Sequence, residues 1–237
     1  MSVSKDSFNV IEIISRAPWF KNLPASAHEE LAKGAKLELM KTNDYVFGVG
    51  QRTDSIFCIL TGWVRVSVNS ADGDEFALTD LQTESWAGEA SLFNDKPRVI
   101  DLHVKKDAWV LKIHRSVVNR IGEQYPSMYR DVAEYQVDRA RGVYELLAGM
   151  VLYPLKSRLA GRLLSMADET GRVVAEGVQI PQKMSQSDLA RLCMGSRQRV
   201  NKILREWQNQ SLVVMLDDHY VITSLERLSE EVELSER

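Results

Sequence analysis

Cysteine is scarce in this chain. The two present, Cys58 and Cys193, stand far apart, each among apolar residues, and neither belongs to a pair with metal-ligand spacing. That excludes a disulfide framework or a cysteine-zinc site as the organiser of the fold. Two buried structural thiols are the simpler reading, and a redox or metal role is the alternative. The four histidines, His28, His103, His114 and His219, form no local pair and no HExxH motif, so structural or surface roles are expected for each. The chain has no glycine-rich phosphate loop and no GxSxG elbow, which leaves an enzymatic reading without support. No apolar run approaches the roughly 20 residues that span a bilayer. The N-terminal segment carries acidic residues and lacks a small-residue cleavage site after an apolar stretch. The expectation is a cytoplasmic protein without a membrane partner.

What is present suits a two-domain globular protein: 237 residues, 44% hydrophobic and 27% charged. The net charge of −3 does not by itself suggest a polyanionic partner. Its distribution does. Between Lys183 and Arg205 the charged residues are Lys183, Arg191, Arg197, Arg199, Lys202 and Arg205 against Asp188 alone.

Residues 7–38 read as short helices punctuated by Pro18 and Pro24, with Ser26 a candidate cap. From about 39 to 114 the texture becomes short, β-branched and aromatic, as in Ile56–Leu60, Trp63–Val68 and Ala108–Ile113. Gly48, Gly50, Gly62, Asp72-Gly73 and Asn94-Asp95 are the turn signals between these segments. A barrel, roll or sandwich is expected. Pro126 then opens a long helix to about Met150. Tyr129, Ala133, Gln136, Ala140, Val143, Leu147 and Met150 form a heptad seam along it. The seam packs either on the chain's own β domain or on the same helix of a second copy. Pro154 ends or kinks this helix, another follows from about Leu155 to Ala167, and the charged tail from Ser229 to Arg237 reads as frayed.

The strongest local signal is KMSQSDLARLCMGSRQRVNKILREWQNQSLV, residues 183–213. Ser185-Gln186-Ser187-Asp188 fits a capping box. Leu189, Ala190, Leu192 and Cys193 give the following helix an apolar side. In Met194-Gly195-Ser196, Gly195 is expected to take the left-handed conformation and Ser196 to cap the next helix. There Val200, Ile203, Leu204 and Trp207 fall at i, i+3, i+4 and i+7 as one buried stripe. Gln198, Asn201, Lys202 and Arg205 occupy the opposite side, with Arg197 at the N-terminal edge. A major-groove recognition helix needs this arrangement, since Arg and Lys read guanine and Gln or Asn reads adenine. A merely solvated charged face has similar composition but does not require the capped first helix and the tight turn. Two β segments, Ser211–Leu216 and His219–Ile222, flank Asp217-Asp218 and read as a hairpin wing.

Taken together these residues resemble the Crp-Fnr family, that of the cyclic-AMP receptor protein and the fumarate-nitrate reduction regulator. The resemblance covers roughly residues 15–225. It is carried in one half by Ser185–Ala190, Gly195-Ser196-Arg197, Val200, Leu204 and Leu212. In the other half it is carried by Gly48, Gly50, Ile59-Leu60, Gly62, Val64, Gly73, Gly88-Glu89, Ser91-Leu92 and Arg98. It implies DNA contacts at Arg197, Gln198 and Lys202, although many members have Glu where Gln198 stands. The wider candidate set adds Ser185, Ser196, Arg199, Asn201 and Arg205. It also implies an effector pocket around Gly88, Glu89, Arg98, Val99 and Tyr144, in which Gly-Glu holds a ribose and Arg followed by Ser or Thr holds a cyclic phosphate. Here Val99-Ile100-Asp101 follows Arg98, so that hydroxyl is missing. Val143-Tyr144 stand where the cyclic-AMP receptor has a hydroxyl pair against the adenine. Purely structural roles are the alternative: a turn at Gly88, a cap at Glu89, and pairing of Arg98 with Asp95 or Asp101. No cysteine precedes Cys58, so no iron–sulfur cluster of the family's type is expected.

The expected fold class is α+β, with a cyclic-nucleotide-binding-like β-roll over 1–125, a long dimerisation helix over 126–153 and a winged helix-turn-helix over 154–237. The resemblance implies a non-enzymatic, sequence-specific transcription regulator acting as a homodimer on a palindromic operator, with RNA polymerase as a further partner. The effector class is a cyclic nucleotide, another small molecule or none. The alternative is a cyclic-nucleotide-binding regulatory module of a signalling enzyme or channel, which has no need of a basic recognition helix.

Overall fold

The computed structural model describes residues 4–69, 75–81 and 83–233. The turn expected at Asp72-Gly73 and the last four residues of the tail lie outside the described residues. The chain divides into two compact units, Met1–Arg141 and Gly142–Arg237.

The first unit opens with α1 (Val10–Arg16) and α2 (Ala25–Lys33). Six strands follow: β1 (Ala35–Met40), β2 (Tyr45–Phe47), β3 (Ser55–Ile59), β4 (Trp63–Asn69), β5 (Glu75–Leu81) and β6 (Trp86–Ala87). Then come α3 (Ala90–Phe93), β7 (Asp101–Lys106), β8 (Ala108–His114), α4 (Arg115–Gln124) and the start of α5 (Ser127–Leu152). The strands pair antiparallel into two sheets of order β1-β8-β3-β6 and β2-β7-β4-β5. The period-two alternation of β3 organises both cores. Phe57 and Ile59 enter the inter-sheet core with Val64, Val66, Leu102 and Val104. Ile56 and Cys58 point the other way, into a core shared with Trp19, Phe20, Leu31, Val118 and Ile121. Burial pushes the Cys58 thiol pKa up, so it stays protonated, as expected for a structural thiol.

α5 seats its first turns on that second core through Met128 and Val132, both fully buried. Tyr135 joins Trp19 edge-on at 5.7 Å. This docking also takes Tyr129 out of the expected seam. Tyr129 packs against Phe93 within its own unit. Of the other expected seam residues, Ala133, Ala140, Val143 and Leu147 are exposed and Gln136 and Met150 half-buried, while Val137, Tyr144 and Val151 are exposed beside them.

The second unit holds the rest of α5, then α6 (Leu155–Thr170), β9 (Arg172–Val174), β10 (Gly177–Gln179), α7 (Gln186–Leu192) and α8 (Arg197–Asn209). It closes with β11 (Val213–Leu216), β12 (His219–Ile222) and α9 (Leu225–Glu233). The sheet order is β11-β12-β10-β9. The wing turn places Asp217 and Asp218 at φ 49° and 64°, the two successive left-handed residues of a type I′ hairpin. Two sequence expectations need correction. The tail does not fray at Ser229: Leu228 is fully buried and Ser157 Oγ donates to the Glu231 carbonyl, which docks α9 on α6. The left-handed residue of the helix-turn-helix is Met194, φ 48°, rather than Gly195. Gly195 is required for space, because a Cβ there would meet Leu155 Cδ1 at 2.5 Å.

The outer face of β4 buries a charge. Arg65 is wholly inaccessible, bonds Asp80 through Nε at 2.8 Å and Nη2 at 3.2 Å, and lies over the Trp63 ring. Removing one partner of a buried pair leaves an uncompensated charge. Asp80→Ala is therefore expected to cost about 3–5 kcal/mol in denaturant unfolding followed by Trp fluorescence. The double change Arg65→Met with Asp80→Leu is expected to recover most of it. A loss under about 1 kcal/mol for Asp80→Ala would mean that the pair is not what holds this face.

Candidate nucleic-acid interface and effector pocket

α7 begins with the reciprocal cap that its sequence specifies. Ser185 Oγ accepts from the Asp188 N–H at 3.1 Å, and Asp188 Oδ2 accepts from the Ser185 N–H at 3.1 Å and its hydroxyl at 2.7 Å. The hydroxyl of Ser185 is thus already in use locally. At the turn, the Gly195 N–H donates to the Ala190 carbonyl at 2.8 Å, and Ser196 Oγ caps α8 by accepting from the Arg199 N–H. Val200, Leu204 and Trp207 are buried, with Ile203 at the margin.

That burial turns Arg197, Gln198, Arg199, Lys202 and Arg205 to solvent, all of them exposed. No carboxylate pairs with Arg197, Arg199, Lys202 or Arg205 among the described residues, whereas neighbouring cations are engaged. Lys183 pairs with Asp218 at 3.1 Å, Arg191 with Asp188 at 3.6 Å, and Lys156 with Glu206 and Glu231 at 2.6 and 2.9 Å. Asn201 is set apart from the others: half-buried, it accepts from Gln186 Nε2 at 3.1 Å and ties α8 to α7. A cleft of about 500 Å³ runs beside this face, lined by Ser185, Arg197, Asn201, Arg205, Val214 and Met215 among others. Cys193 is buried in the turn, and burial pushes its thiol pKa up to about 12, which makes it inert.

In the first unit, Gly88, Glu89 and Arg98 come together, as the resemblance implied. Gly88 adopts φ 95°, and a Cβ there would meet the Ser55 carbonyl and Phe57 at 2.9 Å. Glu89 faces Arg139 of α5 at 3.5 Å, while its Oε2 is buried without a hydrogen-bond partner among the described residues. It provides no side-chain cap to α3. Arg98 pairs with neither Asp95 nor Asp101. Asp95 is taken by Arg115, and Asp101 accepts from the Val49 N–H at 2.7 Å and Asn69 Nδ2 at 2.6 Å. Arg98 Nε donates to Thr53 Oγ1 at 2.9 Å, and Nη2 donates to Thr53 Oγ1 and to the Gly88 carbonyl at 3.0 Å. Phe47 lies 4.6 Å beneath the guanidinium, whose pKa burial lowers against the opposing charge of Glu89. Val99, the residue after Arg98, is 78% exposed. Tyr144 lies on the second unit's stretch of α5 and is exposed. Thr53 and Arg139 escaped the sequence reading because topology alone brings them to Arg98 and Glu89.

Among the described residues no group of three or more His, Cys, Asp or Glu could hold a metal ion, and no helix is long and apolar enough to cross a membrane.

Comparison with known proteins gives two domain matches. A family model described as a cyclic nucleotide-binding domain matches residues 37–125, and one described as a Crp-like helix-turn-helix domain matches residues 157–231. The chain is 24% identical over 218 residues to a CRP-like cAMP-activated global transcriptional regulator of Mycobacterium tuberculosis, covering 92% of this chain and 97% of the relative. Its fold matches a mutant CooA from Carboxydothermus hydrogenoformans with a TM-score of 0.74 at 16% identity, covering 97% of each chain. It also matches CLP, a c-di-GMP-responsive global regulator of Xanthomonas campestris, with a TM-score of 0.72 at 17% identity over 85% of this chain and all of the other. With both domains matched in this order, the chain belongs to the Crp-Fnr family of transcription regulators.

Proposed function

We propose that the protein binds a palindromic operator as a homodimer, through the exposed face of α8, and does so without high-affinity cyclic AMP. The observation that carries the DNA reading is the set of four unpaired cations on a helix whose opposite face is buried. Among the described residues no carboxylate pairs with those cations, so phosphate oxygens and guanine edges can approach them without breaking an internal ion pair. Arg197 and Gln198 lie in the first turn of α8, which enters the groove foremost in this class of motif. The acidic wing turn adds little phosphate affinity, because Lys183 is already neutralised by Asp218. A second copy covers the α5 stripe, where Tyr144, Leu147 and Val151 are 70%, 57% and 75% exposed. Contact with RNA polymerase belongs to the same reading.

The effector pocket fits a nucleotide at one end only. The unpartnered Glu89 Oε2 suits a ribose hydroxyl donor. At the phosphate end, two of the three Arg98 nitrogens are engaged by Thr53 and Gly88, and Val99 offers no hydroxyl. A relative described as cAMP-activated and a structural neighbour described as c-di-GMP-responsive support the reading that this scaffold takes more than one ligand.

Three measurements test this reading. Arg197→Ala and Lys202→Ala should each weaken operator binding by about 1–3 kcal/mol and leave the fold intact. Unchanged affinity of both variants for a site mapped genome-wide would remove α8 from the interface. Leu147→Glu should give monomers by light scattering, and a monomeric wild type at micromolar concentration would overturn the dimer. In calorimetric titration, cyclic AMP should bind weakly or not at all, because a lost hydrogen bond to a charged group is worth about 1.5–3 kcal/mol, roughly tenfold to a hundredfold. Micromolar binding abolished by Arg98→Ala would overturn this and make the Thr53 contact displaceable.

A further inference from the structure

We infer that Arg158 is a positioning residue that locks the helix-turn-helix to the C-terminal end of α5, and so sets the half-site spacing the protein accepts. The inference rests on the dimeric DNA reading above. α5 ends at Leu152, and Pro154 prevents its continuation, so its last carbonyls have no helical donors. The guanidinium of Arg158, on the first turn of α6, supplies donors to them: Nη1 donates to the Met150 carbonyl at 3.3 Å and to the Tyr153 carbonyl at 2.9 Å. The other edge of the same planar group faces the turn before α8. Nε donates to the Cys193 carbonyl at 3.0 Å and Nη2 to the Met194 carbonyl at 3.3 Å.

One side chain thus joins two backbone segments about 40 residues apart in sequence through four carbonyls. No carboxylate pairs with Arg158 among the described residues, so its charge is held by backbone dipoles, including the negative end of α5. The junction is tight elsewhere too. Cys193 Sγ lies 3.9 Å from the Arg158 carbonyl, and Leu155 fills the space that a side chain on Gly195 would need. Met194, held at φ 48° in a conformation unfavourable for a side chain, is two residues from Ser196, the cap of α8. Fixing the Cys193 and Met194 carbonyls against the end of α5 therefore fixes the direction in which α8 leaves the turn. A lysine cannot substitute, because an ammonium is a point donor and cannot bridge four acceptors with one rigid fork.

The test uses full-length protein and duplexes carrying two half-sites at the mapped spacing or with one or two base pairs added or removed. Wild type should prefer the mapped spacing by about tenfold or more, which is about 1.4 kcal/mol. Arg158→Ala and Arg158→Lys should lose most of that preference while keeping wild-type affinity and salt dependence on non-specific duplex. A second measurement separates positioning from stability: spin labels at Asn209→Cys, with both native thiols buried, report the distance between the two α8 helices in free dimers. The distribution should be narrow in wild type and broad in Arg158→Ala at temperatures where both are folded. Retained spacing preference and a narrow distribution in the variants would overturn the role of Arg158. A wild type with no preference for any palindrome would instead overturn the dimeric reading, and the proposal with it.

Discussion

Trp207 has no exposed surface, and its burial beside Val200 and Leu204 decides where every polar group of α8 points. Each such side chain gains about 1.5–3 kcal/mol on leaving water. Rotating the helix to hide Arg197 or Lys202 would forfeit that gain and bury charge without a partner, which costs more again. The basic face therefore follows from apolar packing rather than from attraction between charges. Among the described residues its cations have no carboxylate partner, because the packing turns them to solvent, and a phosphate backbone is the natural replacement for that solvent.

The β-roll treats its cations in the opposite way. Arg65 and Arg98 are both buried and answered internally, Arg65 by Asp80 and Arg98 by Thr53, the Gly88 carbonyl and the Phe47 ring. An anion entering beside Arg98 has to compete with contacts already made in a desolvated site. Glu89 differs, since one carboxylate oxygen has no hydrogen-bond partner among the described residues while the other faces Arg139. The pocket is therefore more open to a donor than to an anion, a bias opposite to what a cyclic phosphate needs.

Much of this was legible in sequence wherever the determinant is local. The capping box at Ser185–Asp188, the Ser196 cap and the 200–203–204–207 stripe each lie within two helical turns, and the structure contains all three. The β-branched and aromatic run along 56–60 showed β structure, though not that the two faces of β3 serve different cores. The misses share a cause. The β9–β10 hairpin is two three-residue strands, too short to carry a period. α9 is made stable by α6, not by its own acidic sequence. Gly195 invited a left-handed assignment because glycine accepts one most easily, yet its lack of a side chain answers to Leu155, some 40 residues away. Thr53 carries no motif at all, and only the approach of the β2–β3 loop to the segment before β7 makes it a partner of Arg98.

The heptad seam shows how far a local pattern reaches. Period 3.5 fits several stripes on one helix, and composition cannot choose between Gln136 and Val137 as the member after Ala133. Within the first unit Met128 and Val132 choose, because they are buried on the β-roll core: Val137 is left exposed and Gln136 half-buried. In the second unit's stretch of the helix Val143, Tyr144, Leu147 and Val151 are all exposed, so burial there admits either set. At the other end, the last carbonyls of the same rod are gripped by Arg158.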